Sequence, residues 1–154
     1  MQKVVTFLVF NNGRGSEALD FYASVFKDAK ITNKTQTPDG QLAMGQFELH
    51  GQEFYAIDAP GENFRFTEGI SLFINCETQD EVDHFWERLA EDGGEHSMCG
   101  WVKDRFGVWW QVVPTLLGKL MGDQDPEKAG RVVQAMLKMR KLDMQGLQVA
   151  YDGK

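Results

Sequence analysis

The apolar positions along this chain change period several times, and each change marks an element. Residues 4–10 (Val-Val-Thr-Phe-Leu-Val-Phe) form an unbroken apolar, β-branched and aromatic run, expected as a strand buried on both faces. Residues 11–15 hold two glycines and read as a loop, after which Ser16 is expected to cap a helix with Glu17 in its first turn. Ala18, Phe21, Tyr22, Val25 and Phe26 then recur at helical spacing and make one apolar face. A short strand is expected over 29–34 and a turn at Pro38-Asp39-Gly40. Strands over 42–49 and 52–58 follow, joined through His50-Gly51. Residues 59–63, with Pro60-Gly61, interrupt the pattern and read as a linker between two halves.

The second half starts the same way. Residues 70–76 are strand, and Thr78 with Glu81 has capping-box spacing. Val82, Phe85, Trp86 and Leu89 form a helix face that Asp92-Gly93-Gly94 ends. A β-hairpin is expected over 99–114. Its first strand places Cys99, Trp101 and Lys103 on one face, with Gly100 and Val102 on the other. Asp104 to Gly107 is turn chemistry, an Asp to bond its own backbone and a Gly for positive φ. The return strand places Trp109, Gln111 and Val113 on one face and Trp110 and Val112 on the other, until Pro114 ends the pairing. Three tryptophans thus surround one glutamine, whose amide needs partners if buried.

The halves repeat. A shift of 64 positions lays Leu8 on Leu72, Asn11 on Asn75, Glu17 on Glu81, Phe21-Tyr22 on Phe85-Trp86 and Val25 on Leu89, with no gap between strand and helix. Setting Gly51 on Gly107 lays Tyr55 on Gln111. Each half is therefore β-α-β-β-β. Two open sheets, each backed by one helix, are expected to leave their other faces around a shared concave site. The fold class is α+β: a single domain over 1–154, with modules over 1–59 and 69–114 and a helical extension over 115–154. In that extension Leu116, Leu117, Leu120 and Met121 suggest a short helix. Asp125-Pro126-Glu127 starts another, with Val132, Val133, Met136, Leu137 and Arg140 on one face and Lys138, Arg140 and Lys141 at its end. Asp143 is expected to cap a last helix carrying Leu147 and Tyr151.

Composition narrows the function. A net charge of −7 with no Lys/Arg cluster argues against nucleic-acid binding. No apolar run has membrane-spanning length, so no membrane partner is expected. The N-terminus enters a strand pattern directly, so no signal peptide is expected, and two distant cysteines are not a disulfide framework. A cytoplasmic location is the expectation.

Several motifs carry a resemblance: Phe7-Leu8-x-Phe10, Glu17-Ala18-x-x-Phe21-Tyr22, Phe66-Thr67-Glu68, Asn75-Cys76-Glu77-Thr78-Gln79, and Cys99-Gly100-Trp101-x-Lys103-Asp104-x-Phe106-Gly107-x-x-Trp110-Gln111-Val112-Val113-Pro114. Gln134-Ala135-Met136 and Lys141-Leu142-Asp143 continue it into the tail. On these the chain resembles the vicinal-oxygen-chelate superfamily, the glyoxalase and bleomycin-resistance fold. Within it the chain is similar to the PhnB-like family, often labelled 3-demethylubiquinone-9 3-methyltransferase.

The resemblance implies paired βαβββ modules and, in metal-using members, a His or Glu from the first and last strand of each module. Carried over by register, those positions are Phe7, Tyr55, Ser71 and Gln111, none a good divalent-metal ligand, so no metal and no cofactor is expected. The three histidines are scattered (His50 at a hairpin tip, His84 on a helix, His96 before the hairpin) and read as solvated. A methyltransferase would ordinarily carry a doubly wound sheet with a Gly-rich loop, for which Asn12-Gly13-Arg14-Gly15 is weak evidence. Cys76 and Cys99 read as small packed thiols, the alternative being a thiolate activated by Lys103. The expected function is binding of a small molecule, with no catalytic residue assigned. The expected lining is Phe7, Tyr55, Ser71, Phe73, Cys99, Trp101, Lys103, Trp109 and Gln111. The alternatives are the methyltransferase of the family label, or a metal-dependent lyase, isomerase or dioxygenase. A symmetric homodimer is expected, since chains of this superfamily usually pair and the tail is rich in methionine.

Overall fold

A computed structural model describes all residues, 1–154. The chain divides into two compact units, Met1–Arg65 and Phe66–Lys154.

The first unit is β1 (Thr6–Phe10), α1 (Gly15–Val25), β2 (Lys30–Gln36), β3 (Leu42–Leu49) and β4 (Gln52–Asp58). Its sheet has the order β1-β4-β3-β2, with β1 parallel to β4 and the other pairs antiparallel. The β3–β4 hairpin turns on His50 and Gly51, both with positive φ (50° and 80°), the backbone that a two-residue hairpin needs. Ala18, Leu19, Phe21, Tyr22 and Val25 of α1 are buried, as the spacing requires. Tyr22 stacks on Phe47, which stacks on Phe54, at 6.1 and 5.1 Å between ring centroids. One wide face of the sheet is thus spent on the helix.

The N-terminal strand does not have two buried faces. Leu8 and Phe10 are buried, whereas Phe7 is 46 % exposed and Val4 lies outside the strand at 82 %. The reason is position: β1 is an edge strand and only one face of its sheet has a helix in this unit. Nor does Ser16 cap α1. The N-cap is Arg14, and the carboxylate of Asp58 accepts the Gly15 N–H at 2.8 Å and the Leu42 N–H at 2.7 Å. A residue 43 positions away does the work of a local cap.

The second unit repeats the first: β5 (Leu72–Cys76), α2 (Gln79–Leu89), β6 (Glu95–His96), β7 (Trp101–Lys103) and β8 (Trp109–Pro114), in the order β5-β8-β7-β6. Thr78 caps α2 by accepting the Glu81 N–H at 3.2 Å. Val82, Trp86 and Leu89 meet a core that includes Val102, Trp110 and Val112.

The repeat is not gapless. The helices are 64 positions apart, but Phe7 pairs with Tyr55 while Gln111 pairs with Phe73, 66 positions after Phe7. Four residues (11–14) lead from β1 into α1 and only two (77 and 78) from β5 into α2. The shorter loop absorbs the difference, so the paired equivalent of Phe7 is Phe73 and not Ser71.

The extension forms α3 (Thr115–Met121), α4 (Pro126–Met136) and α5 (Met144–Asp152). Asp125 and Asp143 cap α4 and α5 as expected. Val113, Leu117, Leu120, Val132, Leu142 and Leu147 bury together, with Leu116, Met136, Met139 and Tyr151 packed on them. The helical face foreseen through Leu137 and Arg140 stops early, because α4 ends at Met136 and Leu137 is 53 % exposed. Lys141 pairs with Asp83 at 3.0 Å instead of facing the end of α4. No helix is long and apolar enough to cross a membrane.

Candidate functional site

The hairpin from β7 to β8 is built around one buried carboxylate. Asp104, 1 % exposed, accepts the N–H groups of Phe106 (2.9 Å) and Val108 (3.0 Å) on Oδ1 and the indole N–H of Trp110 (2.9 Å) on Oδ2. Gly107 at φ 95° closes the turn. This buried charge therefore meets the requirement that it be hydrogen-bonded, and it locks Trp110 onto the core side of the sheet. Alternation then turns Trp109 and Gln111 to the other, helix-free face.

Two cross-strand rows cross that face. In one, Phe73 of β5 lies opposite Gln111 of β8, and Gln111 opposite Trp101 of β7. In the next, Trp109 lies opposite Lys103, and Lys103 opposite Glu95. Phe73 is 52 % exposed, and Trp101 and Trp109 are half-buried and meet edge to face at 6.2 Å. The Lys103 ammonium lies 5.8 Å from the Trp109 ring centroid and 3.5 Å from a Glu95 oxygen. Gln111 donates from Nε2 to Ser71 Oγ at 2.9 Å. Its amide oxygen accepts nothing from the protein. The face is an aromatic surface with one oriented amide in it. Val113, next in the alternation, is covered by the extension.

In the first unit, the helix-free face carries Phe7, Tyr55 and Gln46 in one row, the two rings edge to face at 6.2 Å. Gln46 was not singled out in the sequence, although the alternation over residues 45–49 places it there.

Cys99 does not belong to the face. It precedes β7 in a turn with φ 57°, and its Sγ lies 3.5 Å from the Met136 carbonyl oxygen. Lys103 is engaged with Glu95 and Trp109. Cys76 is fully buried, and burial, helped by the negative charge of Glu81, pushes its thiol up to about 12. His96 is half-buried rather than free in solvent: its ring stacks on Trp86 at 4.2 Å and a ring nitrogen lies 2.8 Å from the Trp86 carbonyl oxygen. His50 is exposed as expected and pairs with Asp28 at 2.7 Å.

The donor set does not suit a divalent metal. Phe7 and Phe73 have no donor atom, and Tyr55, Ser71 and Gln111 offer a phenol, a hydroxyl and an amide. No three of the His, Cys, Asp and Glu side chains come together to hold an ion. A groove of about 630 Å³ lies elsewhere, along α4 and α5, lined by residues that include Arg131, Gln134, Lys138 and Lys154. Arg131 is already committed there to the Ala150 and Tyr151 carbonyl oxygens at the end of α5.

Tandem βαβββ modules with helix-free sheet faces define the glyoxalase and bleomycin-resistance class of fold. Residues 2–113 match the model of one family in it, and the chain belongs to that PhnB-like family, described as 3-demethylubiquinone-9 3-methyltransferase. Among solved structures, a PhnB protein from Bacillus cereus carrying the same description is 35 % identical, with a TM-score of 0.68 over 73 % of this chain and 99 % of that one. Protein PA1353 from Pseudomonas aeruginosa is 22 % identical, with a TM-score of 0.63 over 74 % of this chain and 98 % of that one. The fosfomycin resistance protein FosX from Listeria monocytogenes, complexed with Mn(II) and sulfate, shares the fold at 14 % identity and a TM-score of 0.50, over 71 % of this chain and 89 % of that one. No match was found among curated proteins. The family model stops before the tail motifs, so the resemblance there has no counterpart in it.

Proposed function

We propose that the protein binds a small molecule, without a metal ion, on the helix-free face of its second sheet. The observation that carries this is Gln111. Its amide is oriented by Ser71 and keeps an open acceptor between Phe73, Trp101 and Trp109. An exposed aromatic surface with one fixed polar group is what a small ring bearing a hydrogen-bonding substituent would fit.

The test uses a panel of monocyclic aromatic amides and phenols, screened by ligand-observed NMR and titrated against tryptophan fluorescence. Binding is expected, and Gln111→Leu should weaken it by roughly 1–3 kcal/mol, because the ligand's polar group is left unpaired. Unfolding of the variant should stay close to wild type. Lost stability with unchanged affinity would make Gln111 structural and remove the proposal. Adenosylmethionine is titrated in parallel, because the family description names a methyltransferase. Saturable binding of it would replace this reading.

A further inference from the structure

The turn that delivers Trp101 to the face is closed within its module, by the Trp101 N–H on the Met98 carbonyl oxygen (3.0 Å), the Ser97 N–H on that of Trp101 (2.8 Å) and the Val112 N–H on that of Gly100 (2.8 Å), and is held from the C-terminal extension as well. Cys99 and Gly100 have consecutive positive φ values, 57° and 83°. The same pair of positive φ values serves the His50–Gly51 turn of the first unit, but here the extension takes both of the central N–H groups. The Cys99 N–H donates to the Met139 carbonyl oxygen and the Gly100 N–H to that of Arg140, both at 2.8 Å. The Arg140 guanidinium donates to the His96 carbonyl oxygen at 2.6 Å, at the other end of the same connection. Leu142 closes the contact: a Cβ at Gly100 would lie 3.1 Å from its Cδ1 and 2.6 Å from the Val112 carbonyl oxygen. The N–H groups of the turn's two central residues are thus satisfied by the extension.

The extension is in turn latched to α2. Gln79 donates from Nε2 to the Leu142 carbonyl oxygen (3.1 Å) and accepts the Met144 N–H on Oε1 (2.8 Å). Asp83 receives a second Nε2 bond from Gln79 (3.0 Å) and pairs with Lys141 (3.0 Å). Gln79's hydrogen bond and Lys141 hold the Asp83 carboxyl below its ordinary range. Two motifs distant in sequence, one ending in Gln79 and one being Lys141-Leu142-Asp143, are therefore halves of one joint. The family model ends at residue 113, and the Bacillus cereus protein is spanned almost completely by 73 % of this chain. The joint is an addition to the module.

We infer that the C-terminal extension is a positioning element for the second face: through Met139 and Arg140 it fixes the Cys99–Gly100 turn, and through that turn the placement of Trp101 beside Trp109 and Gln111. The consequence for ligand binding rests on the reading given under Proposed function, whereas the placement of Trp101 does not.

The experiment cuts the latch in the full chain with Gln79→Leu. Amide hydrogen exchange is followed at Cys99 and Gly100, and ¹⁹F NMR is recorded on protein labelled with 5-fluorotryptophan, the signals assigned by Trp→Phe variants. Exchange at Cys99 and Gly100 should rise by roughly tenfold or more, while Val102 and Trp110 amides stay protected. The Trp101 signal should shift or broaden while that of Trp110, anchored by Asp104, stays in place. Should Gln79→Leu fail to fold, Gln79→Glu keeps the acceptor for Met144, removes the donor to the Leu142 carbonyl oxygen and sets a second carboxylate against Asp83. Unchanged Cys99 and Gly100 exchange with an unmoved Trp101 signal would overturn the inference. So would a uniform rise in exchange across the unit, which marks general destabilisation. The panel compound bound most tightly by wild type is then titrated against the variant: weakened affinity supports the inference, and unchanged affinity alongside a moved Trp101 overturns its functional part. If no panel compound binds wild type, the reading of the face has failed by itself, and the exchange and ¹⁹F results still decide the role of the extension.

Discussion

Replacing Asp104 should cost more than any local reading of a hairpin turn suggests. Asp104→Ala strands three buried N–H groups, those of Phe106, Val108 and the Trp110 indole. Each unsatisfied donor costs roughly 1–3 kcal/mol where water cannot replace the partner, so a loss of at least about 3 kcal/mol is expected. Asp104→Asn is the sharper probe. It keeps one acceptor oxygen and turns the other into a donor. If the oxygen stays with the two backbone N–H groups, the new NH₂ faces the indole N–H, and one donor is orphaned for about 1–3 kcal/mol. Trp110→Phe removes that indole donor. In wild type the change leaves a carboxylate oxygen without its indole partner, whereas in the Asn background it relieves a donor facing a donor. The two substitutions should therefore be non-additive by roughly 1–2 kcal/mol, the double variant being more stable than the sum. Urea unfolding followed by circular dichroism gives all four free energies, provided the slope with urea is shared. Additivity within about 0.5 kcal/mol would refute the argument that Asp104 acts through Trp110.

Four further outcomes are expected. Elemental analysis of purified protein should find no stoichiometric Zn, Ni, Mn or Fe; one equivalent, lost on Gln111→Ala, would overturn the metal-free reading. The Cys76 thiol, raised from an ordinary 9.0 to about 12, keeps its proton in the folded state after the unfolded chain has lost it. Its contribution is intact below pH 9.0 and is lost as pH rises toward 12, so the stability difference between wild type and Cys76→Ala should shift in favour of Cys76→Ala across that window; a constant difference refutes this. The Tyr151 hydroxyl donates to Asp123 at 2.7 Å and holds its carboxyl below the ordinary range, so Tyr151→Phe should move the Asp123 titration upward by NMR. A symmetric homodimer is expected by light scattering at micromolar concentration, and a monomeric mass with the extension intact would count against it.

What the sequence determined was local. The strands Leu42–Leu49 and Gln52–Asp58 and the His50-Gly51 turn follow from alternation and from a turn that tolerates positive φ. The caps at Thr78, Asp125 and Asp143 are each made within three residues, so their partners were in view. The same holds for the hydrogen bonds of Asp104 to Phe106, Val108 and Trp110, which reach no further than six positions. The repeat was legible, and with it the placement of Tyr55, Trp101, Trp109 and Gln111 on helix-free faces. What tertiary structure decided depended on partners far along the chain. Asp58 displaced Ser16 as the keeper of α1, because a carboxylate arriving from β4 reaches the first N–H of the helix directly. The apolar run through Phe7 looked buried because composition reports hydrophobicity, not whether anything covers the second face. The two-residue difference between Ser71 and Phe73 lay in loop length, which no residue pattern reports and only the β5–β8 pairing reveals. Cys99 left its expected strand for a left-handed turn with Gly100, where its N–H donates to the Met139 carbonyl oxygen and that of Gly100 to the Arg140 carbonyl oxygen. Hydrophobic spacing reads one element at a time, and hydrogen bonds between elements are written in neither of the sequences that make them.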